Sequence, residues 1–353
     1  MLHGTIAIPR VLIVNRSWSS ITMSILVTGG AGYIGSHMVL ELIDAGENVV
    51  VVDNLSTGFR WAVHNDATLV VGDIGNVDLI KRTIAEHNVS AIVHFAGSIV
   101  VPESVTDPLG YYENNTAKSR TLIATAIDSG VRHFIFSSTA AVYGNPAENP
   151  VSEDAVLQPM SPYGRSKLMT EWMLADAAHA HDFKYVALRY FNVAGADPNG
   201  RSGQSTPRAT HLIKVACEAA LGKRSHMQIF GNDYPTPDGT CIRDYIHVTD
   251  LALAHLEALT YLREKDTSNF FNCGYSKGYS VLEVVDAVKR VSGVELDARL
   301  AERRPGDPAA IVAASAKIRQ TLGWMPRHDN LEQIVSQALS WEKHLDAIKA
   351  KAS

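Results

Sequence analysis

The chain has 353 residues, 46% of them apolar and 20% charged, which supports a large buried core and about two domains. Thirty-two basic against 37 acidic residues give a formal charge of −5 with no long basic block, which disfavours a nucleic-acid scaffold, and no run of about 18 uncharged apolar residues occurs, which removes a transmembrane helix. Cys217, Cys241 and Cys273 lack any CxxC spacing, which speaks against a disulfide framework or a zinc site and for a reducing, cytoplasmic compartment.

Residues 1–22 contain Arg10 and Arg16, no acid, and an apolar run broken by Pro9. A secretory signal needs its charge before an unbroken apolar core, so this segment reads as a leader outside the fold. From Ser24 onward strand and helix patterns alternate. Short β-branched runs at Ser24–Thr28, Asn48–Val52, Thr68–Val71, Ala91–Phe95, His133–Ser137 and Tyr185–Arg189 read as strands buried on both faces. Between them, Ile34–Ala45, Val77–His87, Leu109–Ser129 and Tyr163–His181 carry helical periodicity. That alternation predicts an α/β fold, a doubly wound parallel sheet of Rossmann type.

After about Asn192 the chain turns to loops at Ala196–Pro207 and Gly231–Gly239, then to helical patterns at Thr210–Leu221, Val248–Arg263, Val281–Val291 and Asn330–Lys343. The expected division is therefore a nucleotide-binding domain over 23–191 and a smaller α/β substrate lobe over 192–345. Parts of 240–265 return to the first domain, and 346–353 form a tail. The segment from Trp341 to Ser353 reads as a solvated helix end.

Thr28-Gly29-Gly30-Ala31-Gly32-Tyr33-Ile34-Gly35 follows a strand and opens a helix, the context of a dinucleotide loop. Gly29 permits the tight turn, Gly32 lets the backbone approach a pyrophosphate, and Gly35 lets the helix pack close to the strand. The helix N-terminus then holds the phosphates on its free amides and dipole. Asp53, 18 residues beyond Gly35, ends the second strand, where a carboxylate binds the adenosine ribose and repels a 2′-phosphate. NAD is thus favoured over NADP. Asp73 follows the third strand and reads either as an adenine contact or as a helix N-cap. Phe95-Ala96-Gly97 ends the fourth strand on the same carboxyl edge, where small residues let a cofactor lie against the backbone.

Ser161-Pro162-Tyr163-Gly164-Arg165-Ser166-Lys167 reads as an N-cap serine, an N1 proline and the first turns of a helix. Tyr163 and Lys167, four residues apart, share one face. A free phenol with a pKa of about 10 is a poor base at neutral pH, but a neighbouring ammonium and a cationic nicotinamide favour the phenolate. Thr139, in Ser137-Ser138-Thr139 at the end of the fifth strand, would set a hydroxyl beside Tyr163 and a substrate oxygen. The histidines show no metal-ligand spacing, so no metal is expected. His211 reads as a helix-surface histidine, with ligand contact as the other reading.

Together these residues resemble the extended short-chain dehydrogenase/reductase family, in its branch of UDP-hexose 4-epimerases. The likeness runs through residues 29–37, Asp53-Asn54-Leu55-Ser56-Thr57-Gly58, Ser161–Lys167, Arg189-Tyr190-Phe191-Asn192, residues 231–236, Arg243-Asp244-Tyr245-Ile246-His247-Val248 and Arg303-Arg304-Pro305-Gly306-Asp307. It implies an NAD-dependent isomerase in which Tyr163 is the base, Lys167 binds the nicotinamide ribose and tunes Tyr163, and Thr139 holds the sugar 4-oxygen. Cofactor contacts are implied at Gly29, Gly32, Tyr33, Ile34, Gly35, Asp53, Asn54, Asp73, Ile74, Phe95, Ala96, Gly97, Asn114 and Tyr190. Substrate contacts are implied at Asn192, Phe230, Arg243, Arg304 and Asp307.

The implied reaction interconverts UDP-galactose and UDP-glucose by hydride transfer to bound NAD, rotation of a 4-keto sugar and hydride return, in a homodimer. Two positions depart from the pattern. Ile99 stands where one branch has a cofactor-contacting lysine, and Ile311 is of intermediate size where side-chain bulk governs entry of N-acetylated sugars. A pentose, uronate or hexosamine 4-epimerase fits the same motifs. A 4,6-dehydratase does not, because Ala140-Ala141 occupy the place of its acid pair. A non-catalytic NAD-binding protein would have no need of Tyr163, Lys167 and Thr139 together.

Overall fold

The computed structural model describes residues 23–207, 209–304 and 306–352, so the leader expected over 1–22 lies outside the described residues. The first half runs β1 (Ser24–Thr28), α1 (Tyr33–Asp44), β2 (Asn48–Asp53), β3 (Thr68–Val71), α2 (Val77–Glu86), β4 (Val89–His94), α3 (Val101–Thr106), α4 (Pro108–Tyr112), α5 (Lys118–Asp128), β5 (His133–Thr139), α6 (Pro162–Ala180) and β6 (Lys184–Tyr190). There follow β7 (Asn192–Ala194), α7 (Leu212–Ala220), β8 (Met227–Phe230), β9 (Ile242–His247), α8 (Val248–Lys265), β10 (Asn269–Cys273) and β11 (Gly278–Ser280). The chain closes with α9 (Val281–Ser292), β12 (Ala298–Ala301), β13 (Ala310–Ile311), α10 (Ala316–Leu322) and α11 (Leu331–Ala352).

Seven strands form one parallel sheet in the order β10-β6-β5-β4-β1-β2-β3. From β1 the chain winds outward to β3, then crosses back to β4 and winds the other way, so the expected Rossmann-type order is present. The crevice beyond the carboxyl ends of β1 and β4 is where such a sheet takes a ligand. Alternate side chains feed two cores. Ile25 and Val27 pack with Met38 of α1 and Leu251 of α8, whereas Leu26 packs with Ile80 of α2, Leu122 of α5 and Leu174 of α6. Downstream, β9 pairs with β7, β13 and, antiparallel, β11, while β12 pairs with β8.

Three sequence expectations need correction. The strand at Thr68–Val71 is not buried on both faces, because β3 is the sheet edge and leaves Thr68 and Val71 exposed. The continuous helix expected over Leu109–Ser129 is instead α4, one π turn at Glu113–Ala117, and α5. That turn brings Asn115 inside, 2% exposed. The end of α11 is not simply solvated. Trp341 is 3% exposed because Gly203 has no side chain: a Cβ there would fall 2.3 Å from the indole. The next residue, Glu342, pairs in the interior with Lys214 of α7 and with Lys223 at 3.1 Å.

Candidate active site

The glycine loop is built by close backbone approach. Gly29 has φ +71°, and a Cβ on it would lie 2.7 Å from the Ala96 amide nitrogen, so the turns after β1 and β4 touch. A Cβ on Gly35 would lie 2.1 Å from the Gly29 carbonyl oxygen, while one on Gly32 would meet only that oxygen, at 3.3 Å. Gly32 caps α1 with no side-chain bond and no acid in the first turn, which leaves the amides of Tyr33 and Ile34 to an anionic group. At the end of β2, Asp53 accepts from the Ala31 amide at 2.9 Å and the Leu55 amide at 2.8 Å. Each carboxylate oxygen keeps a further lone pair. Asn54 caps its own turn by accepting from the Ser56 amide at 3.0 Å.

From Asp53 the chain continues as a strap over the glycine loop. The Phe59 amide donates to the Ala31 carbonyl at 2.9 Å, Phe59 stacks on Trp61 at 5.2 Å, and Trp61 meets Trp341 at 6.3 Å. At the end of β3, Asp73 is not the N-cap of α2; Asn76 is, accepting from the Leu79 amide. Asp73 instead accepts from the Gly75 amide at 2.8 Å and from Lys118 at 2.6 Å. Burial pushes its carboxyl up, but Lys118 and the Gly75 amide outweigh that and hold it below the usual range. Ile74 beside it is buried.

The α6 residues converge on the same edge. Ser161 accepts from the Gly164 amide at 3.1 Å and Pro162 opens the helix, as the sequence pattern required. Lys167, 3% exposed, donates to the Ser137 carbonyl at 3.0 Å and lies 5.0 Å from the centre of the Phe136 ring. A Cβ on Gly97 would be 3.7 Å from its ammonium, which places the loop after β4 against it. Burial alone brings Lys167 down to about 8. Burial raises the Tyr163 phenol, and the Thr139 side chain pulls weakly the other way. The lowering expected from Lys167 together with a cationic nicotinamide belongs to the cofactor-bound site; in the polypeptide alone the Lys167 ammonium points to the Ser137 carbonyl. Tyr190 bonds the Ser137 hydroxyl, and Phe95 packs on His255 at 4.8 Å.

Several residues around this edge carried no local sequence signal. Asn115 accepts from the Ser98 amide at 2.7 Å and donates to the Ser98 carbonyl at 2.9 Å and the Ser166 hydroxyl at 3.1 Å, locking the β4 loop to α6. The expected Asn114 lies alongside, donating to the Ser98 hydroxyl at 2.9 Å. Tyr111 clasps both backbone groups of Val100, at 2.7 and 2.9 Å, beneath the exposed Ile99.

In the second half, Phe230, Arg243, Arg304 and Asp307 form one cluster. Arg304 stacks on Phe230 at 4.0 Å, and both arginines reach Asp307 at 3.9 Å. Arg243 also donates to the Pro308 carbonyl at 2.8 Å. Asn192 lines a crevice with Tyr33, His211, Lys214 and Trp341. His211, preferred from sequence as a surface residue, is turned into that crevice. Burial, then the Lys214 charge, lowers its pKa.

The sequence profile of the NAD dependent epimerase/dehydratase family matches residues 25–274. The chain belongs to this family. A UDP-glucose 4-epimerase of Azospirillum brasilense is 58% identical over 322 residues, 91% of this chain and 92% of that protein. Among solved structures, UDP-glucose 4-epimerase of Brucella ovis in complex with NAD superposes with a TM-score of 0.88 at 42% identity, covering 90% of this chain and 98% of that one. The UDP-Glc/GlcNAc 4-epimerase of Campylobacter jejuni gives 0.80 at 49% identity, covering 91% and 99%.

NAD is the cofactor of this epimerase family, and the residues present fit it. The cradle at Gly29, Gly32 and Gly35, the uncapped start of α1 and the acid at the end of β2 are arranged as a dinucleotide requires. Among the described residues no group of three or more His, Cys, Asp or Glu is placed to hold a metal ion, and no helix is long and apolar enough to cross a membrane.

Proposed function

We propose that this epimerase interconverts UDP-galactose and UDP-glucose at carbon 4 of the hexose. The observation that carries the reading is the meeting of Gly97, Lys167, Tyr163 and Thr139 at the carboxyl edge of β4 and β5, beside the glycine loop. NAD, when bound, supplies the two-electron redox chemistry at carbon 4. Tyr163 takes the proton from the sugar 4-hydroxyl and returns it at the end of the cycle. Thr139 holds the same oxygen. Lys167 remains cationic up to about pH 8, held on the Ser137 carbonyl beside the place of the nicotinamide ribose, and with a cationic nicotinamide in place the two positive charges oppose the burial that raises the Tyr163 phenol. Arg243 and Arg304 hold the diphosphate through planar, bidentate contacts, so the nucleotide stays anchored while the 4-keto hexose turns its other face to the cofactor. Asn114, Tyr190 and Asn192 border nicotinamide and sugar, and Asp53, Asp73 and Ile74 the adenosine.

The test is to incubate purified protein with UDP-galactose, without added NAD, and follow UDP-glucose. Turnover is expected. None, even with NAD supplied, overturns the reading. UDP-N-acetylgalactosamine belongs in the same assay, because a 49% identical structure is described as a UDP-Glc/GlcNAc 4-epimerase and Ile311, 7% exposed in β13, is of intermediate size. We further propose a cytoplasmic homodimer. Its supports are three free buried cysteines and the exposed apolar side chains Val105, Leu109 and Trp172 on α3, α4 and α6. Light scattering at micromolar concentration reads the assembly state.

A further inference from the structure

The reaction described above uses Tyr163 and Lys167, on the first turns of α6. One turn beyond Lys167 the helix carries Glu171, 6% exposed, which no step of that reaction involves. Its carboxylate accepts from Arg189 through Nε at 3.0 and 3.2 Å and through Nη2 at 2.6 Å, and it also accepts the Ser138 hydroxyl. Ser138, fully buried, lies between Ser137, whose carbonyl holds Lys167, and Thr139. Arg189 directly precedes Tyr190. The β5–β6 register sets Ser138 opposite Arg189 and Thr139 opposite Tyr190. Three elements that each carry a residue of the site therefore meet on one carboxylate.

Holding these elements together does not by itself require charge. A buried ion pair contributes little net stability compared with apolar packing of the same volume. What a guanidinium–carboxylate fork adds is direction, since its donors lie in a fixed plane. Arg189 is held further by the Phe270 ring at 4.5 Å and by donating to the Tyr143 hydroxyl at 3.0 Å and the Glu153 carbonyl at 3.3 Å. Glu171 thus has one permitted orientation, and so does the end of β5 bonded to it. Proton transfer and carbonyl chemistry are sensitive to such placement, because about 1 Å of displacement at a reacting group costs about a hundred-fold in rate.

We propose that Glu171, with Ser138 and Arg189, is the positioning device that sets Lys167 and Thr139 against Tyr163; this rests on the epimerase reading above. The test compares wild type, Ser138→Ala, Glu171→Gln and Tyr143→Phe by kcat per NAD-loaded site, KM for UDP-galactose and thermal midpoint. Ser138→Ala is expected to lower kcat about ten-fold and Glu171→Gln about a hundred-fold, with KM within about two-fold. Tyr143→Phe removes one outer support of Arg189 and keeps the Glu171 fork, the Phe270 stack and the Ser138 bond, so it lowers the midpoint and leaves kcat within about two-fold of wild type.

If Ser138→Ala keeps the wild-type kcat, or if its loss falls on KM alone, the inference is overturned and the network is structural. Should Glu171→Gln fail to fold, Ser138→Ala decides, since it leaves the ion pair whole. Wild-type protein that turns over no UDP-galactose removes the epimerase reading and this inference with it. Wild-type turnover with an unaffected Ser138→Ala removes the inference alone.

Discussion

Gly35→Ala tests whether the glycine loop is a cofactor cradle or merely a turn. The new methyl would lie 2.1 Å from the Gly29 carbonyl oxygen, 2.8 Å from its carbon and 2.9 Å from the Gly30 Cα. All three are backbone atoms, so no side chain can swing aside. Ordinary contact begins near 3.4 Å, so α1 has to retreat by more than 1 Å, taking the amides of Tyr33 and Ile34 with it. Overpacking of this kind costs about 1–3 kcal/mol. The control is Gly46→Ala, at the end of α1, where φ is +82° and nothing lies within 4 Å. That change carries only the left-handed penalty of about 1–2 kcal/mol. The assay is NAD released by acid from protein as purified, with the thermal midpoint alongside. Gly35→Ala is expected to lose both NAD and several degrees, whereas Gly46→Ala loses some stability and keeps its NAD. A Gly35→Ala protein with a full NAD complement and an unchanged midpoint would refute the reasoning.

Tyr163→Phe is expected to abolish turnover while NAD content stays at the wild-type level; near-normal activity would remove the proposed base. Trp61→Ala breaks the aromatic chain from the strap to α11, and with about 0.5–1.5 kcal/mol per aromatic pair, NAD release should quicken by about two- to ten-fold in a chase experiment. Stability should also fall as pH drops below 6.5. Burial holds His94 and His247 down to about 3 and His37 and His255 to about 4, so the unfolded chain takes up protons that the native state refuses. Glu41, raised to about 7 by burial and then Asp44, and Asp244, raised by burial to about 6, work in the opposite sense. Glu41 counts for less because it is partly in solvent. The balance is a loss of about 2 kcal/mol between pH 6.5 and 5.5, read from urea midpoints; equal or greater stability at pH 5.5 would contradict it.

What could be read from the sequence was whatever depends on neighbours a few residues away. The glycine loop, the Ser161-Pro162 helix start and the strand–helix alternation are local patterns, and each lies where local physics put it. The misreadings depend on distant partners. Trp341 is buried because Gly203, far away in the chain, leaves room for an indole, and nothing around Trp341 signals this. The strand β10 contains Asn269 and Asn272, which disguise it; Asn272 is tolerated inside because it donates to the Val151 carbonyl at 2.9 Å and its amide meets Glu153 at 2.8 Å. Asn115 turns inward because of a π turn that periodicity cannot show. The four-residue spacing of Tyr163 and Lys167 fixes a shared helix face but not the direction of the ammonium, which here points to the Ser137 carbonyl.

The seventh strand of the main sheet has a consequence for synthesis. Because β10 pairs with β6 from nearly 80 residues downstream, the edge of β6 stays open on the ribosome until residue 273 has emerged. During that interval Val186 and Leu188 belong to an unsatisfied, apolar strand of the kind that seeds intermolecular pairing. A fragment cut after Phe191 would keep that edge permanently. The first half of this enzyme is therefore not a portable nucleotide-binding module: its sheet is completed only by a strand that returns from beyond β9.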